Sequence, residues 1–179
     1  MISEGIDPVF VFDGRPHDLK RETLDGRKER KLNAIARWEA AMEAGDLPAA
    51  KKLGPQTAEY TREMVEETKR LFEHMGVIWL EAPMEAEGAA AVRCARGEVG
   101  AVASQDWDTL LYGAPVMVRN LTSHGTRRFG RALHAERIVL SDMLEAHGIS
   151  REQLVDMGIM IGTDFHPGIK GIGPKTGLK

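Results

Sequence analysis

Acidic residues follow several short apolar runs of this chain, a placement that could build a metal site. One follows "VFVF", a pair follows "VIWLEAP", a second pair surrounds the tryptophan of "SQDWD", and one more comes at the end of a predicted helix. In chain order these candidate ligands are Asp13, Glu85, Glu87, Asp106, Asp108 and Asp164. Carboxylate oxygens are hard ligands that suit Mg²⁺ or Mn²⁺.

Carboxylates gathered in one small volume repel each other, which raises their pKa values and lowers stability unless cations neutralise them. Two divalent ions held close together can activate a water and stabilise the leaving oxygen when a phosphodiester bond is cleaved. Taken singly, each acid also has an ordinary structural explanation, since Asp-Gly is a common turn and Glu suits a helix start. Their joint occurrence, in this order, favours the metal site.

The spacing within each acidic pair restricts the local backbone. Residues two apart do not share a face of a helix, but they do in an extended segment. Both members of Asp106 and Asp108 can therefore face one site only at a strand-to-helix turn. We expect Trp107, between them, to turn into the core and fix that turn.

The elements that must position these acids alternate between strands and helices, which predicts an α/β fold with a parallel-rich sheet flanked by helices. Ligands of such sheets bind beyond the carboxyl ends of the strands, where the acids lie. Strands are predicted at 8–14, 77–83, 99–104 and "PVMVRNL", with an edge hairpin at "GTRRFG" and an ambiguous "ERIVL".

Helical periodicity predicts a long helix over 19–44, weakened by Gly26, and a second helix over 57–75 with Tyr60 on its apolar face. "GDLPAAKKLGP" between them is expected to hold one short turn. Further helices are predicted at "MEAEGAAAVRCARG", opened by Pro83, at "WDTLLYG", and from Ser150 to about 162. Ser141 and Ser150 look like helix caps, the latter forming a capping box with Gln153.

Composition sets limits on these interpretations. The chain has 179 residues, 42% of them hydrophobic and 28% charged, which suits one globular domain with a small appendage. The net charge of −3 does not by itself indicate a nucleic-acid binder. The single cysteine, Cys94, excludes an internal disulfide and is expected to be a small core residue. We find no membrane-spanning stretch or signal peptide, so an intracellular soluble protein without a membrane partner is expected.

Two segments could contact a nucleic acid. The first is rich in basic residues, namely Arg15, Lys20, Arg21, Arg27, Lys28, Arg30, Lys31 and Arg37, with a few acids among them. It could grip phosphates, or it could simply be a solvated charged helix. The second, "GIKGIGPKTG", resembles the hairpin of a helix-hairpin-helix element, where glycines and exposed amides approach DNA phosphates without reading sequence. It lacks the Gly-Lys-Ser/Thr ending of a P-loop.

Taken together, "VFVFDG", "EAPMEAEGAAA", "ASQDWDTLLYGAP", "VRNLT" and "GTDFHPGIKGIGPKTG" resemble the flap endonucleases, the XPG-type structure-specific 5′ nucleases, and most closely the archaeal members. The resemblance implies a PIN-like fold and Mg²⁺-dependent (or Mn²⁺-dependent) cleavage of 5′-flap or branched DNA in replication and repair. It implies that all six acids are metal ligands, direct or through water. Phe165 stands where the family usually has tyrosine.

The resemblance also implies roles for basic and glycine-rich positions. Lys20 and Arg27 would contact the scissile phosphate, and residues 21–57 would form a helical arch for the flap. Gly168, Ile169 and Ile172 would hold a K⁺ ion through backbone carbonyls. Further DNA contacts are expected from Arg15, Arg30, Lys31, Lys170 and Lys175.

The resemblance divides the chain into a nuclease core at 1–149 and a partial helix-hairpin-helix motif at 150–179. It implies a further strand and ligand aspartate before "PVFVF" and a tail beyond Lys179 that docks on the sliding clamp PCNA, so we expect a fragment of a longer nuclease. Such a protein would be cytoplasmic in archaea and nuclear in eukaryotes. Two alternatives stay open: a catalytically impaired DNA-binding fragment, and a phosphohydrolase that uses Asp106 and Asp108 as nucleophile and acid.

Overall fold

The computed structural model describes residues 1–123, 125–128 and 131–179. They form two compact units. The core unit consists of Met1–Pro16 and Val77–Lys179, and the helical unit consists of His17–Gly76. Within the described ranges, no helix is both long enough and apolar enough to cross a membrane. The predicted boundary between 149 and 150 stays a prediction.

The helical unit contains α1 (Arg21–Glu43), α2 (Leu47–Thr57) and α3 (Arg62–Met75), with α1 packed against α2. The predicted long helix is confirmed, but the prediction of a short turn between the helices is wrong. Asp46 caps α2 by accepting a hydrogen bond from the Ala49 amide at 3.0 Å, and the helix buries Ala50 and Leu53.

The start of the second predicted helix is also wrong. Thr61 caps α3 by accepting from the Met64 amide at 3.2 Å, so the helix begins at Arg62. Tyr60 therefore precedes the helix and is 86% exposed, rather than lying on its apolar face. Gly76 ends α3 in the left-handed conformation, as glycine commonly does.

The core unit contains short strands in separate small sheets. Strand β1 (Val9–Phe12) pairs in parallel with β2 (Ile78–Glu81). Strand β3 (Val102–Ala103) pairs in parallel with β4 (Val116–Arg119). The remaining pairs are antiparallel: β4 with β7 (Glu136–Val139), and β5 (Arg127–Arg128) with β6 (Arg131–Ala132). The α/β class is confirmed, but in place of one parallel-rich sheet the described strands form small separate sheets, of which β3–β4–β7 is mixed because β7 runs antiparallel. The hairpin prediction is confirmed, although Phe129 and Gly130 lie outside the described residues.

The helices of the core unit are α4 (Ala86–Ala95), α5 (Asp108–Leu111), α6 (Leu140–His147), α7 (Arg151–Ile161) and α8 (Pro174–Gly177). The capping box of Ser150 and Gln153 is confirmed. The prediction that Ser141 is a cap is wrong. Strand β7 runs directly into α6, so Val139 holds the cap position and Ser141 lies inside the helix.

Two small clusters of buried side chains hold α4, α5 and α6 against the central strands. Small residues let α4 approach β3 closely: Ala91, Cys94, Val102 and Ala114. Leu110, Met117 and Leu140 join α5, β4 and α6. Cys94 is thus a core residue, as predicted. Met117 is fully buried, so its replacement by alanine is expected to cost roughly 2–5 kcal/mol.

Candidate metal centre

The end of β1 is joined to the start of α4 by a set of hydrogen bonds at what we call the β1–α4 junction (residues 12–14 and 81–87). The Ala82 amide donates to the Phe12 carbonyl at 2.9 Å, and the Gly14 amide donates to the Met84 carbonyl at 2.7 Å. The Ala86 amide donates to Oδ1 of Asp13 at 2.8 Å. Asp13 therefore lies at the positive end of α4, which favours a carboxylate.

Gly14 makes this close approach sterically feasible. A Cβ atom at this position would overlap the Ala82 carbonyl oxygen and would lie 2.8 Å from the carbonyl oxygen of Pro83. These are backbone atoms, which cannot swing away as a side chain can. The Asp-Gly pair is thus the point at which β1 passes against the β2–α4 connection, rather than an ordinary surface turn.

Three carboxylates converge at the junction. The candidate ligand oxygens of Asp13, Glu85 and Glu87 all lie within 4.8 Å of one another. Glu85 takes the cap position of α4 with extended backbone angles (φ −83°, ψ 131°), and Glu87 lies in the first turn. The extended residue lets the pair share one side, as the spacing predicted. Three hard oxygen donors at this separation fit a divalent cation.

The electrostatics of the junction agree with this fit. Burial raises the pKa of Glu87, and the charges of Asp13, Asp106 and Glu85 raise it further, against a hydrogen bond from the Glu87 amide that lowers it. A bound cation would oppose this effect, because it stabilises the charged form.

The other acidic pair lies in what we call the Asp106–Asp108 turn (residues 104–109). The Asp106 amide donates to Oγ of Ser104, and the Asp108 amide donates to Oδ1 of Asp106, both at 3.0 Å. The second bond is an Asx turn that opens α5. The charge of Asp106 contributes to the raised pKa of Glu87, but the group of converging carboxylates found among the described residues is Asp13, Glu85 and Glu87. The part of Asp106 and Asp108 in the metal site stays a prediction.

Tyr112 is a residue that sequence reasoning missed. Burial raises its pKa to about 12, and the charges of Glu85, Asp108, Glu87 and Asp106 add to the effect. Its ring lies beside Gly88 of α4, with ring atoms 3.4 Å from where a Cβ of that glycine would be. The sequence signal that could have identified it is an aromatic residue one helical turn after Asp108.

The prediction for Trp107 is wrong, because the side chain is 50% exposed. The turn instead directs Thr109 and Leu110 inward, and both are buried. The guanidinium carbon of Arg119 lies 4.3 Å from the centroid of the Trp107 ring.

Asp164 follows α7, in a short bridge where the Thr163 amide donates to the His166 carbonyl at 2.8 Å. Its part in the metal site stays a prediction. Phe165, beside it, donates its amide to Oγ1 of Thr163.

The glycine-rich loop after this bridge folds back on the end of α7. The Ile169 amide donates to the Met160 carbonyl at 2.8 Å, and the Ile169 carbonyl accepts from the Ile172 amide at 3.0 Å. Gly168 and Gly171 have φ values of 75° and 92°, which favour glycine. Lys170 and Lys175 are exposed.

The predicted DNA-contacting residues of the helical unit lie on or just before α1. Arg30 Nε donates to the Gly26 carbonyl at 3.1 Å, and Lys31 Nζ lies 3.3 Å from Oε1 of Glu59. Arg27 is exposed on α1, and Lys20 directly precedes that helix. Arg15, in the core unit, is also exposed. The roles of these residues stay predictions.

Known proteins similar to this chain are nucleases. The XPG I-region matches residues 76–164 and the XPG N-terminal domain matches residues 1–34. Flap endonuclease 1 of Methanoculleus marisnigri is 44% identical over 181 residues, covering 99% of this chain and 54% of the relative. The chain thus spans about half the length of the curated relatives it matches.

Solved structures agree with the sequence comparisons. The flap endonuclease-1 from Methanococcus jannaschii has a TM-score of 0.69 at 40% identity, over 99% of this chain and 54% of that one. The catalytic core of Rad2 in complex with DNA substrate has a TM-score of 0.72 at 28% identity, over 99% of this chain and 47% of that one.

Proposed function

Because the chain belongs to the XPG family of flap endonucleases, we propose that it forms part of a metal-dependent nuclease that hydrolyses phosphodiester bonds of DNA bearing a 5′ flap, as endonuclease and 5′–3′ exonuclease. The observation that carries the proposal is the convergence of Asp13, Glu85 and Glu87 within 4.8 Å at the β1–α4 junction. The phosphohydrolase alternative is dropped, since it gives Glu85 and Glu87 no role.

In this proposal the junction carboxylates hold Mg²⁺, with Mn²⁺ as a substitute, and Asp106, Asp108 and Asp164 complete the ligand set. A pair of such ions supplies an activated water and charge stabilisation of the leaving oxygen. The amide at the start of α4 keeps Asp13 oriented, and the Asx turn does the same for Asp106.

The DNA-binding part of the proposal assigns contacts to residues of each unit. Lys20 and Arg27 contact the scissile phosphate, residues 21–57 form the arch for the flap, and Arg15, Arg30 and Lys31 add phosphate contacts. Lys170 and Lys175 bind the duplex, with K⁺ at the carbonyls of Gly168, Ile169 and Ile172. The Rad2 catalytic core, a structural neighbour, has been solved with a DNA substrate, which supports this part.

The wider setting is also proposed. The full-length nuclease would act in DNA replication and repair with the sliding clamp PCNA, in the cytoplasm of an archaeon or the nucleus of a eukaryote. The alternative is a DNA-binding fragment with impaired catalysis, and the observation that favours it is that the chain spans about half of its relatives.

Cleavage of an end-labelled 5′-flap duplex in Mg²⁺ tests the proposal. Replacing Glu87 by glutamine should lower cleavage by about 100-fold or more, because a charged ligand is lost from the site. Replacing Glu152 by glutamine, on the exposed start of α7, is the matched control and should leave cleavage unchanged. If the unaltered chain cleaves the flap and the Glu87→Gln variant cleaves it equally fast, the site is refuted.

Binding of the same flap DNA, measured against salt concentration, separates the two candidates. A chain that does not cleave but binds with a steep salt dependence supports the DNA-binding fragment, because phosphate contacts release counterions. A flat salt dependence without cleavage contradicts both.

A further inference from the structure

Trp107 occupies an unusual place between two proposed metal ligands. Its ring is 50% exposed, although tryptophan is among the largest apolar side chains. One contact explains why it stays there. Arg119 is the last residue of β4, and its guanidinium carbon lies over the ring, 4.3 Å from the ring centroid. A cation over the face of tryptophan is attracted by the electron density of the ring.

Arg119 also interacts with the neighbouring strand. Its backbone pairs with Glu136 of β7, and its Nη1 lies 3.7 Å from the Glu136 carboxylate. Within the described residues, the buried Nε of Arg119 has no hydrogen-bond partner. The guanidinium therefore contacts the Trp107 ring and, at a longer distance, the Glu136 carboxylate.

The turn that carries Trp107 needs such support. Two of its hydrogen bonds, from the Asp106 amide to Ser104 and from the Asp108 amide to Asp106, are local. The helix that follows, α5, has four residues, too few to be stable without tertiary contacts. The Ser104 amide donates to the Val118 carbonyl at 3.2 Å, and Leu110 packs against Met117, so both ends of the turn are tied to β4. The contact of Arg119 with Trp107 adds a tie to β4 in the middle of the turn, between the two acids.

We propose that Arg119 is a positioning residue that, by stacking on Trp107, fixes the direction of the Asp106 and Asp108 carboxylates for metal binding. This inference rests on the proposed metal site. Arginine suits the role better than lysine, because its planar guanidinium can stack on a ring while a flexible ammonium holds no fixed orientation.

Mn²⁺ affinity of the 179-residue chain, measured without DNA by paramagnetic resonance of the free ion, tests the proposal. Arg119→Lys keeps the charge and Trp107→Leu removes the ring; each should weaken Mn²⁺ binding by about 10-fold, as expected for residues that orient ligands. Trp107→Tyr keeps a stacking ring and should retain most of the affinity. Arg96→Lys is the matched control, since Arg96 lies 3.8 Å from Glu98 and 71% of its side chain is exposed.

The double variant of Arg119→Lys and Trp107→Leu should bind Mn²⁺ as weakly as the worse single variant, because both changes break one contact. The melting temperature in EDTA monitors folding, and Trp107→Leu, at an exposed position, is expected to keep it. Unchanged affinity in both single variants, or losses that simply add in the double variant, would overturn the proposal.

The metal site and the positioning role fail in different ways. If the unaltered chain binds no Mn²⁺, both are wrong. If it binds Mn²⁺ and Asp13→Asn weakens that binding while Arg119→Lys and Trp107→Leu do not, the metal site stands and only the positioning role is wrong.

Discussion

At the β1–α4 junction, the carboxylate of Asp13 accepts a hydrogen bond from an amide 73 residues later in the chain. In the Asp106–Asp108 turn, the carboxylate of Asp106 accepts one from an amide only two residues away. Both features place acids just beyond a strand. The junction can form only when β1 and β2 have paired, whereas the hydrogen bonds of the turn can form wherever the local chain adopts that shape.

The two features should therefore respond differently to mutation. Joining distant segments requires closure of a long loop, and the cost is recovered only if every contact of the junction forms together. A local turn is inexpensive to form but is poorly oriented by itself, which is why an external contact such as Arg119 on Trp107 matters there. Disruption of the junction should damage both fold and site, while disruption of the turn should damage mainly the site.

The largest effect is expected for Gly14→Ala. The added Cβ would overlap the Ala82 carbonyl, so β1 and the β2–α4 connection must separate, at a cost of about 3 kcal/mol or more. Urea unfolding measures this change. Gly26→Ala is the control: nothing lies within 4 Å of its Cβ position in α1, and the variant should be more stable by roughly 0.5–1 kcal/mol. Equal stability of the Gly14→Ala and unaltered chains would show that the junction has room for a Cβ at this position.

The next largest effect separates the structural role of Asp13 from its charge. Asn at this position keeps an oxygen that can accept from the Ala86 amide but loses the negative charge. Asp13→Asn should weaken Mn²⁺ binding by about 100-fold, or ~2.7 kcal/mol, with little change in stability in EDTA. Asp13→Ala should lose both properties. Calorimetric titration with Mn²⁺ and thermal unfolding check the two parts, and undiminished binding by the Asn variant would remove Asp13 from the ligand set.

Sequence reasoning located the junction well, for a physical reason. The acids at strand ends, the Asp-Gly pair and the extended Glu85 are all visible as residue types and spacings, and β1–β2 pairing brings them together as a parallel sheet predicts. The sequence could not reveal that Gly14 is required by the carbonyl of Ala82, because that contact joins distant segments.

Errors arose where neighbouring residues compete for the core. Trp107 is the larger apolar side chain, yet Thr109 and Leu110 are the ones buried, because Leu110 packs against Met117 and Leu140, which lie on other elements of the fold. α2 was missed because its Pro and Gly residues are typical of loops, although a proline near the start of a helix is compatible with it. Tyr60 has the correct spacing for α3, but Thr61 caps that helix after it.

A smaller effect is expected for Ser104→Ala, which removes the acceptor for the Asp106 amide. One such hydrogen bond contributes roughly 1 kcal/mol, and the turn can recover part of this from water. Ser141→Ala is the control, because the Ser141 hydroxyl is exposed and bonds only to its neighbour Asp142 within the described residues. Urea unfolding should show a loss for the first variant alone. A loss at Ser104 as large as that at Gly14 would contradict the distinction between local and long-range fixation.

The smallest effect is a pH dependence that links the two features through Glu87, whose pKa is raised by burial and by the charges of Asp13, Asp106 and Glu85. A raised folded-state pKa means that the stabilising contribution is complete below the unfolded value of 4.5 and is lost as the pH rises through the folded value. In EDTA, Glu87→Gln should thus match the unaltered chain at low pH and exceed its stability near neutrality.

Glu152→Gln provides a control of opposite sign, since hydrogen bonds from its own amide and from Ser150 lower the pKa of Glu152. That contribution is present above the unfolded pKa and is lost as the pH falls through the folded value. With Mn²⁺ added, the unaltered chain should be more stable than the Glu87→Gln variant, because the ion binds the folded carboxylate and stabilises the unaltered chain by mass action. Thermal unfolding between about pH 4 and pH 8, with and without Mn²⁺, measures both effects. If Glu87→Gln is less stable than the unaltered chain near neutrality in EDTA, then the pKa of Glu87 is not raised in the folded chain, and neither burial nor the neighbouring carboxylates destabilise its charge.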